Sequence, residues 1–171
     1  EVALKGIQLS GNVIKGEIQY VVAHMAEESD IDLVVMGTQG SSGLKEVFIG
    51  SMTNNVIRHT HVPVLAIPSD FTFRPFNKIT LAVDGQGVDD ILTYNPLLEI
   101  AKTFDYTISI IHVSSEESDV CQQPELNELL KQFNQTTNVI ISDDISEAIE
   151  EYTVKDNSDI ICILKRERGF F

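Results

Sequence analysis

The 171-residue chain has no tryptophan, only two cysteines, and 12 lysines and arginines set against 26 aspartates and glutamates. Each scarcity excludes something. Cys121 and Cys162 show no C-x-x-C spacing and build no disulfide framework; Cys162 sits inside an apolar run, so a reduced, cytoplasmic protein is the expectation. A formal net charge of −14 with a pI near 4.5 repels phosphate polyanions, so neither nucleic acid nor an anionic membrane surface is an expected partner. No apolar run approaches membrane-spanning length, and the first residues lack the basic-then-apolar order of an export signal. No G-K-[ST] stands where a P-loop would need it, and no G-x-G-x-x-G of the dinucleotide type is present.

What is there is 43% apolar content, enough for one ordinary core or two incomplete ones, arranged in short runs separated by helical periodicity. Residues 2–9 (VALKGIQL) predict a strand. Ile14, Ile18, Val21, Val22 and Met25 predict a helix that Asn12 caps, and residues 31–36 (IDLVVM) predict a buried parallel strand. Ser51 is expected to cap a helix through about His59, and residues 62–67 (VPVLAI) close this first unit as a strand. Residues 69–78 (SDFTFRPFNK) read as a linker.

A second unit follows. It has strands at 79–83, 107–113, 138–142 and 159–164. Between them come a helix around Leu97, Leu98 and Ala101 that Pro96 kinks or restarts, a helix marked by Leu126, Leu129, Leu130 and Phe133, and a helix marked by Ile145, Ala148, Ile149 and Tyr152. Strict alternation of strand and helix predicts an α/β fold, an open parallel sheet with helices on both faces. Ile18, Val22, Asp32, Leu33 and Val34 match Ile145, Ile149, Asp159, Ile160 and Ile161 at one constant offset, as a helix-then-strand element used twice would.

The stretch GTQGSSGLKEVFIGS, residues 37–51, follows the strand at 31–36, and ligands of open parallel sheets sit beyond the carboxyl ends of strands. Glycines let backbone N–H groups approach a phosphate, Ser41, Ser42 and Ser51 add hydroxyls, and the helix starting near Ser51 points its positive end the same way. A solvated tight turn is the plainer alternative. The pattern G-x2-G-x9-G-S, present as Gly37, Gly40, Gly50 and Ser51 between DLVVMG and VIRHTHVPVLAIP, resembles the nucleotide-binding signature of the universal stress protein family. The resemblance covers residues 2–68 as the later part of one unit. Residues 76–164 resemble the earlier part of a second, with ITLAVDG and ISIIHV at its first two strands.

This likeness implies a five-stranded sheet of order 3-2-1-4-5 and ATP as the ligand, with Mg2+ as a companion. It also implies dimerisation, often through the last strand, and a regulatory role under stress rather than catalysis. Carried over by position, Gly37, Gly40, Gly50 and Ser51 would hold ribose and phosphates, with Ser41 beside them, while Asp84 and Val113 would face the adenosine.

The sequence departs from the family at two places. Residues 165–171 (KRERGFF) stand where the second unit's glycine loop belongs, and the first unit lacks its first two strands. The domains expected are therefore residues 1–70, the later part of one unit, and 76–171, a unit lacking its glycine loop and last strand. Either a preceding segment completes the first, or strands 79–83 and 107–113 do so in an exchanged arrangement; a fragment of a longer tandem protein is the expectation. A homodimer or an intrachain pseudo-dimer follows from the same reasoning.

His59 and His61 show no third metal ligand and read as charge complementation at a helix end. His24 and His112 read as packed or surface residues. Asp89, Asp90, Glu116, Glu117 and Asp119 read as charged loop surface, and Lys45 and Arg58 as solvated. No catalytic set assembles, so a binding module is expected, at most a slow ATPase. The alternative function is a dimerisation scaffold with a decayed nucleotide site.

Overall fold

Apolar runs and amphipathic stretches alternate along the chain, and the computed structural model turns that alternation into strands and helices. It describes residues 6–28, 30–38, 50–85, 91–103, 106–116 and 123–164. The chain divides into two compact units, Glu1–Phe71 and Thr72–Phe171.

The first unit contains α1 (Ile18–Glu28), β1 (Val34–Gly37), α2 (Ser51–His59) and β2 (Val64–Ile67). β1 and β2 pair in parallel, Val34 opposite Val64 and Gly37 opposite Ile67. Two expectations fail here. Residues 6–9 of the strand predicted at 2–9 are irregular, with Ile7 59% and Leu9 75% exposed; among the described residues the sheet consists of β1 and β2 and offers them no pairing partner, and an extended segment without a neighbour has nothing to hold it. Helix α1 begins at Ile18 rather than after Asn12, because Gly16, which would fall inside the expected helix, adopts a non-helical φ of +158, and a glycine in a helix interior costs about 1 kcal/mol. Helix α2 is as expected in extent, but Gly50 is its N-cap and Ser51 its first residue. Val56 and Thr53 are its buried face.

The second unit contains β3 (Lys78–Val83), a 3-10 turn (Ile91–Tyr94), α3 (Asn95–Thr103), β4 (Thr107–Ser114), α4 (Pro124–Leu130), β5 (Asn134–Ile141), α5 (Ile145–Asp156) and β6 (Ile160–Ile163). Its sheet is all parallel in the order β5-β4-β3-β6, the first four places of the expected 3-2-1-4-5. No fifth strand is found among the described residues, and 165–171 lie outside them. Pro96 restarts the helix rather than kinking it: the 3-10 turn ends at Tyr94, and α3 begins at Asn95 with proline in its first turn, where a missing N–H costs nothing. Strand β5 starts at Asn134, ahead of the predicted 138, because pairing with β4 recruits the polar run Asn134–Thr137 that has no apolar signal of its own.

Register divides the sheet into two faces. Ile79, Leu81, Ile108 and Ile110 face one side, where α3 supplies Leu97, Leu98 and Ala101 and α4 supplies Leu126 and Leu130; all are at least nine-tenths buried. Fully burying an aliphatic side chain of this kind is worth about 1.5–3 kcal/mol, so this layer is the main stabilising feature of the unit. On the other face lie Thr80 and Ser109, polar and buried, which bond to the C-terminal end of α5 and the turn after it: Thr80 with Ser158 at 2.5 Å, and Ser109 donating to Asp156 Oδ2 at 3.2 Å. Asn138 Nδ2 donates to Tyr152 Oη at 3.0 Å. Thus α5 is tied to the sheet by hydrogen bonds as well as by Ala148.

The two copies of the sequence echo fold alike. Ile18 and Ile145 each open a helix, and each helix leads into a short parallel strand, β1 and β6.

Candidate functional site

The residues singled out from the sequence fall in both units. In the first, β1 ends at Gly37 and α2 begins after Gly50, and the two glycines do different work. Gly37 O accepts from Thr53 Oγ1 at 3.1 Å, and nothing lies within 4 Å of where a Cβ on Gly37 would be. At Gly50 a Cβ would drive into the backbone carbonyl of Thr38, so this glycine is required by close packing of the chain against the end of β1. Gly50 gives α2 no side-chain cap, and its first turn holds no acidic residue, so the positive end of α2 carries no built-in negative charge. Ser51 is exposed beside it. Gly40 and Ser41 lie outside the described residues.

In the second unit a cleft of about 260 Å³ opens at the carboxyl ends of the strands. Strand β3 and the residue after it supply Ala82, Val83 and Asp84, β4 supplies Ile111 and Val113, and β6 leads in Ile163 and Leu164. The first turns of α5 contribute Ile145 and Ile149, and Tyr94 and Gln123 complete the lining. Asp84 and Val113, far apart in sequence, come together here because Val83 pairs with His112 in register. The walls are mostly aliphatic, and among the described residues no cationic side chain lines them. At the neighbouring N-terminus of α5, Asp144 accepts from Glu147 N at 2.9 Å, so this helix end, unlike that of α2, is already capped by a carboxylate.

Residues to which the sequence assigned no ligand role also stand at this end of the sheet, among them His112, read as packed or surface. Gly85 follows Asp84 with φ +80, a left-handed conformation, and a Cβ there would come within 2.7 Å of the His112 ring. His112 is buried, and its Nδ1 lies 3.1 Å from Val83 O, which fixes Nδ1 as the protonated nitrogen of that pair. Tyr94 is fully buried. Gln123 is 5% exposed, and its Nε2 is buried with no hydrogen-bond partner. The Asp-Gly pair after a strand was the available signal for Gly85. Gln123 offered only its place before Pro124.

The histidines elsewhere are occupied locally. His59, in the last turn of α2, places Nδ1 2.7 Å from Asn55 O and its ring edge-to-face with Tyr20, and His24 pairs with Glu28 at 3.2 Å. Among the described residues no three His, Cys, Asp or Glu side chains converge to hold a metal ion. No described helix is long and apolar enough to cross a membrane.

Parallel sheets flanked by helices define an α/β protein, and in open sheets of this class the carboxyl ends of the strands are where ligands sit. Comparison with known proteins narrows this for the first unit: residues 1–68 match the universal stress protein family. Universal stress protein Sll1388 of Synechocystis is 40% identical over 62 residues, covering 36% of this chain and 40% of the relative. Universal stress protein YxiE of Bacillus subtilis is 35% identical over 65 residues, 38% of this chain and 44% of the relative. Universal stress protein MJ0531 of Methanocaldococcus jannaschii is 34% identical over 62 residues, 36% of each. The likeness drawn from Gly37, Gly40, Gly50 and Ser51 is thus shown for the segment that carries them, and the chain spans less than half the length of these relatives.

Proposed function

We propose that the chain is a regulatory adenine-nucleotide-binding module of the universal stress type, with ATP as its ligand. The observation that carries this reading is the cleft at the ends of β3 and β4. It is lined by both Asp84 and Val113, the two positions that the family likeness assigns to the adenosine. Aliphatic walls with few polar groups suit a nucleoside, and the volume of about 260 Å³ stands just below the range of about 300–1,000 Å³ usual for ligand pockets. Within the first unit, and taken by itself, the glycine signature has chemistry suited to phosphates: a helix start without a carboxylate and with Ser51 in its first turn. Binding then biases oligomeric state or partner choice, the regulatory use of a nucleotide that needs no chemistry at the γ-phosphate.

Titration calorimetry with ATP tests the reading. Saturable heat that disappears in Gly40→Val supports it; folded protein that gives no heat overturns it. A second reading, a dimerisation scaffold without a ligand, draws on one observation: Ile161 and Ile163 on β6 are 47% and 62% exposed. Sedimentation without nucleotide distinguishes the two, since a scaffold dimerises with or without ATP.

A further inference from the structure

Gln123 is a polar side chain of the cleft whose burial the fold itself does not repay. It is 95% removed from solvent, lines the cleft, and keeps an Nε2 donor with no acceptor. Folded proteins pair nearly all buried polar groups, because an unpaired one forfeits its hydration for nothing. Among the described residues the lining of the cleft is mostly aliphatic carbon, as at Ile111, Val113 and Ile149. The amide also has no structural task that explains its burial: Gln123 occupies the N-cap of α4, yet only its backbone serves the helix, through Gln123 O accepting from Asn127 N at 2.9 Å.

We infer that Gln123 is the residue that reads the base, and that it selects adenine over guanine. The inference rests on the nucleotide reading of this cleft and goes beyond it to specificity. A carboxamide presents one donor and one acceptor side by side. Adenine offers a matching pair on its N7 edge, the N6 amino group and N7, and takes the amide there in two hydrogen bonds. On that N7 edge guanine presents two acceptors, O6 and N7, so an amide held against it sets its oxygen against one of them. Such a mismatch at a buried amide leaves a polar atom unpaired, the circumstance in which hydrogen-bond discrimination between similar ligands is largest. Asp84, at the exposed rim, is placed for the polar groups of a sugar rather than for the base.

Adenosine and guanosine, which lack phosphates and therefore isolate the nucleoside contribution, are titrated into the full chain and into Gln123→Met by calorimetry, with thermal unfolding recorded for both proteins. Methionine keeps the length and removes both polar atoms, and since no side-chain cap is lost, the variant is expected to melt at or above the parent's temperature. The expected result is a preference for adenosine of about tenfold or more in the parent. In Gln123→Met that preference disappears through weaker adenosine binding, with guanosine little changed. Adenosine binding with no preference in the parent, or a preference that survives in Gln123→Met, overturns the role of Gln123 and leaves the nucleotide reading standing. Failure of both nucleosides and of ATP to bind the folded parent overturns both.

Discussion

The ring of His112 lies directly against the backbone of Gly85, so close that a β-carbon on the glycine would sit 2.7 Å from Cε1 and 3.0 Å from Nε2. The contact joins adjacent strands just past the paired residues Val83 and His112, and it sets the path of the chain as it leaves β3 with Asp84. Gly85→Ala adds two penalties, a left-handed φ of +80 that costs an alanine about 1–2 kcal/mol and the collision with a buried ring. The expected loss is about 2–3 kcal/mol in urea unfolding, together with weakened nucleotide binding as Asp84 is displaced. His112→Ala in the same background makes room, so the double variant is expected to lose less than the two single losses added together.

The two glycines that the sequence singled out equally are predicted to separate on mutation. Gly50→Ala forces its methyl into the Thr38 carbonyl, which the backbone relieves only by moving the start of α2, and a loss of about 1–3 kcal/mol is expected. Gly37→Ala has open space around its β-carbon and is expected to change stability by no more than about 0.5 kcal/mol. Thermal or urea unfolding of the two variants checks this directly. Any loss of ATP binding in a stable Gly37→Ala protein then reports on the ligand rather than the fold.

The limits of sequence reading follow from what local pattern encodes. Apolar runs such as TISIIHV declare a strand buried on both faces, and β4 is one. The polar start of β5 declares nothing, because only pairing with β4 makes Asn134–Thr137 extended. The segment at 6–9 shows the reverse, a strand-like pattern with no strand beside it. Asp32 and Asp159 match in the sequence echo, yet Asp32 is exposed, and the side chain of Asp159 is 8% exposed. Asp84 and Val113 were legible only through family likeness, and Gln123 was not legible at all, since no local pattern around a lone polar residue before Pro124 encodes its burial.

Asp159 therefore anchors the start of β3. Its Oδ2 accepts from the backbone N–H groups of Asn77 and Lys78 at 2.9 and 3.1 Å, and Oδ1 pairs with Arg74 at 2.7 Å. Charge-assisted bonds to backbone donors outweigh a pair whose cation is 65% exposed. Asp159→Ala is expected to cost about 2–3 kcal/mol, and Arg74→Ala about 1 kcal/mol or less. Denaturant unfolding of the two variants checks the order; equal losses would show the ion pair, not the backbone bonds, to be the anchor.

Cys162 on β6 provides a pH test of packing in the same sheet. It borders the apolar cluster of the second unit, and burial pushes its thiol from an ordinary value of 9.0 up to about 11. A group whose pKa is raised by folding binds more protons in the folded state. Its contribution is complete below the unfolded value and is lost as pH rises through the folded one, here between about 9 and 11. The decline across that window is on the order of 2 kcal/mol, since each tenfold difference in proton affinity between the folded and unfolded chain is worth about 1.4 kcal/mol. Cys162→Ala removes the titrating group, so its stability profile between pH 8.5 and 11 is expected to be flatter than the parent's by that amount, whatever its absolute stability. At pH 7.5 the same burial keeps the thiolate scarce, and alkylation of Cys162 by iodoacetamide is expected to be slow in the folded chain and fast in urea. Rapid labelling of the native protein would mean that β6 opens locally and leaves the sheet far more readily than its position beside β3 implies.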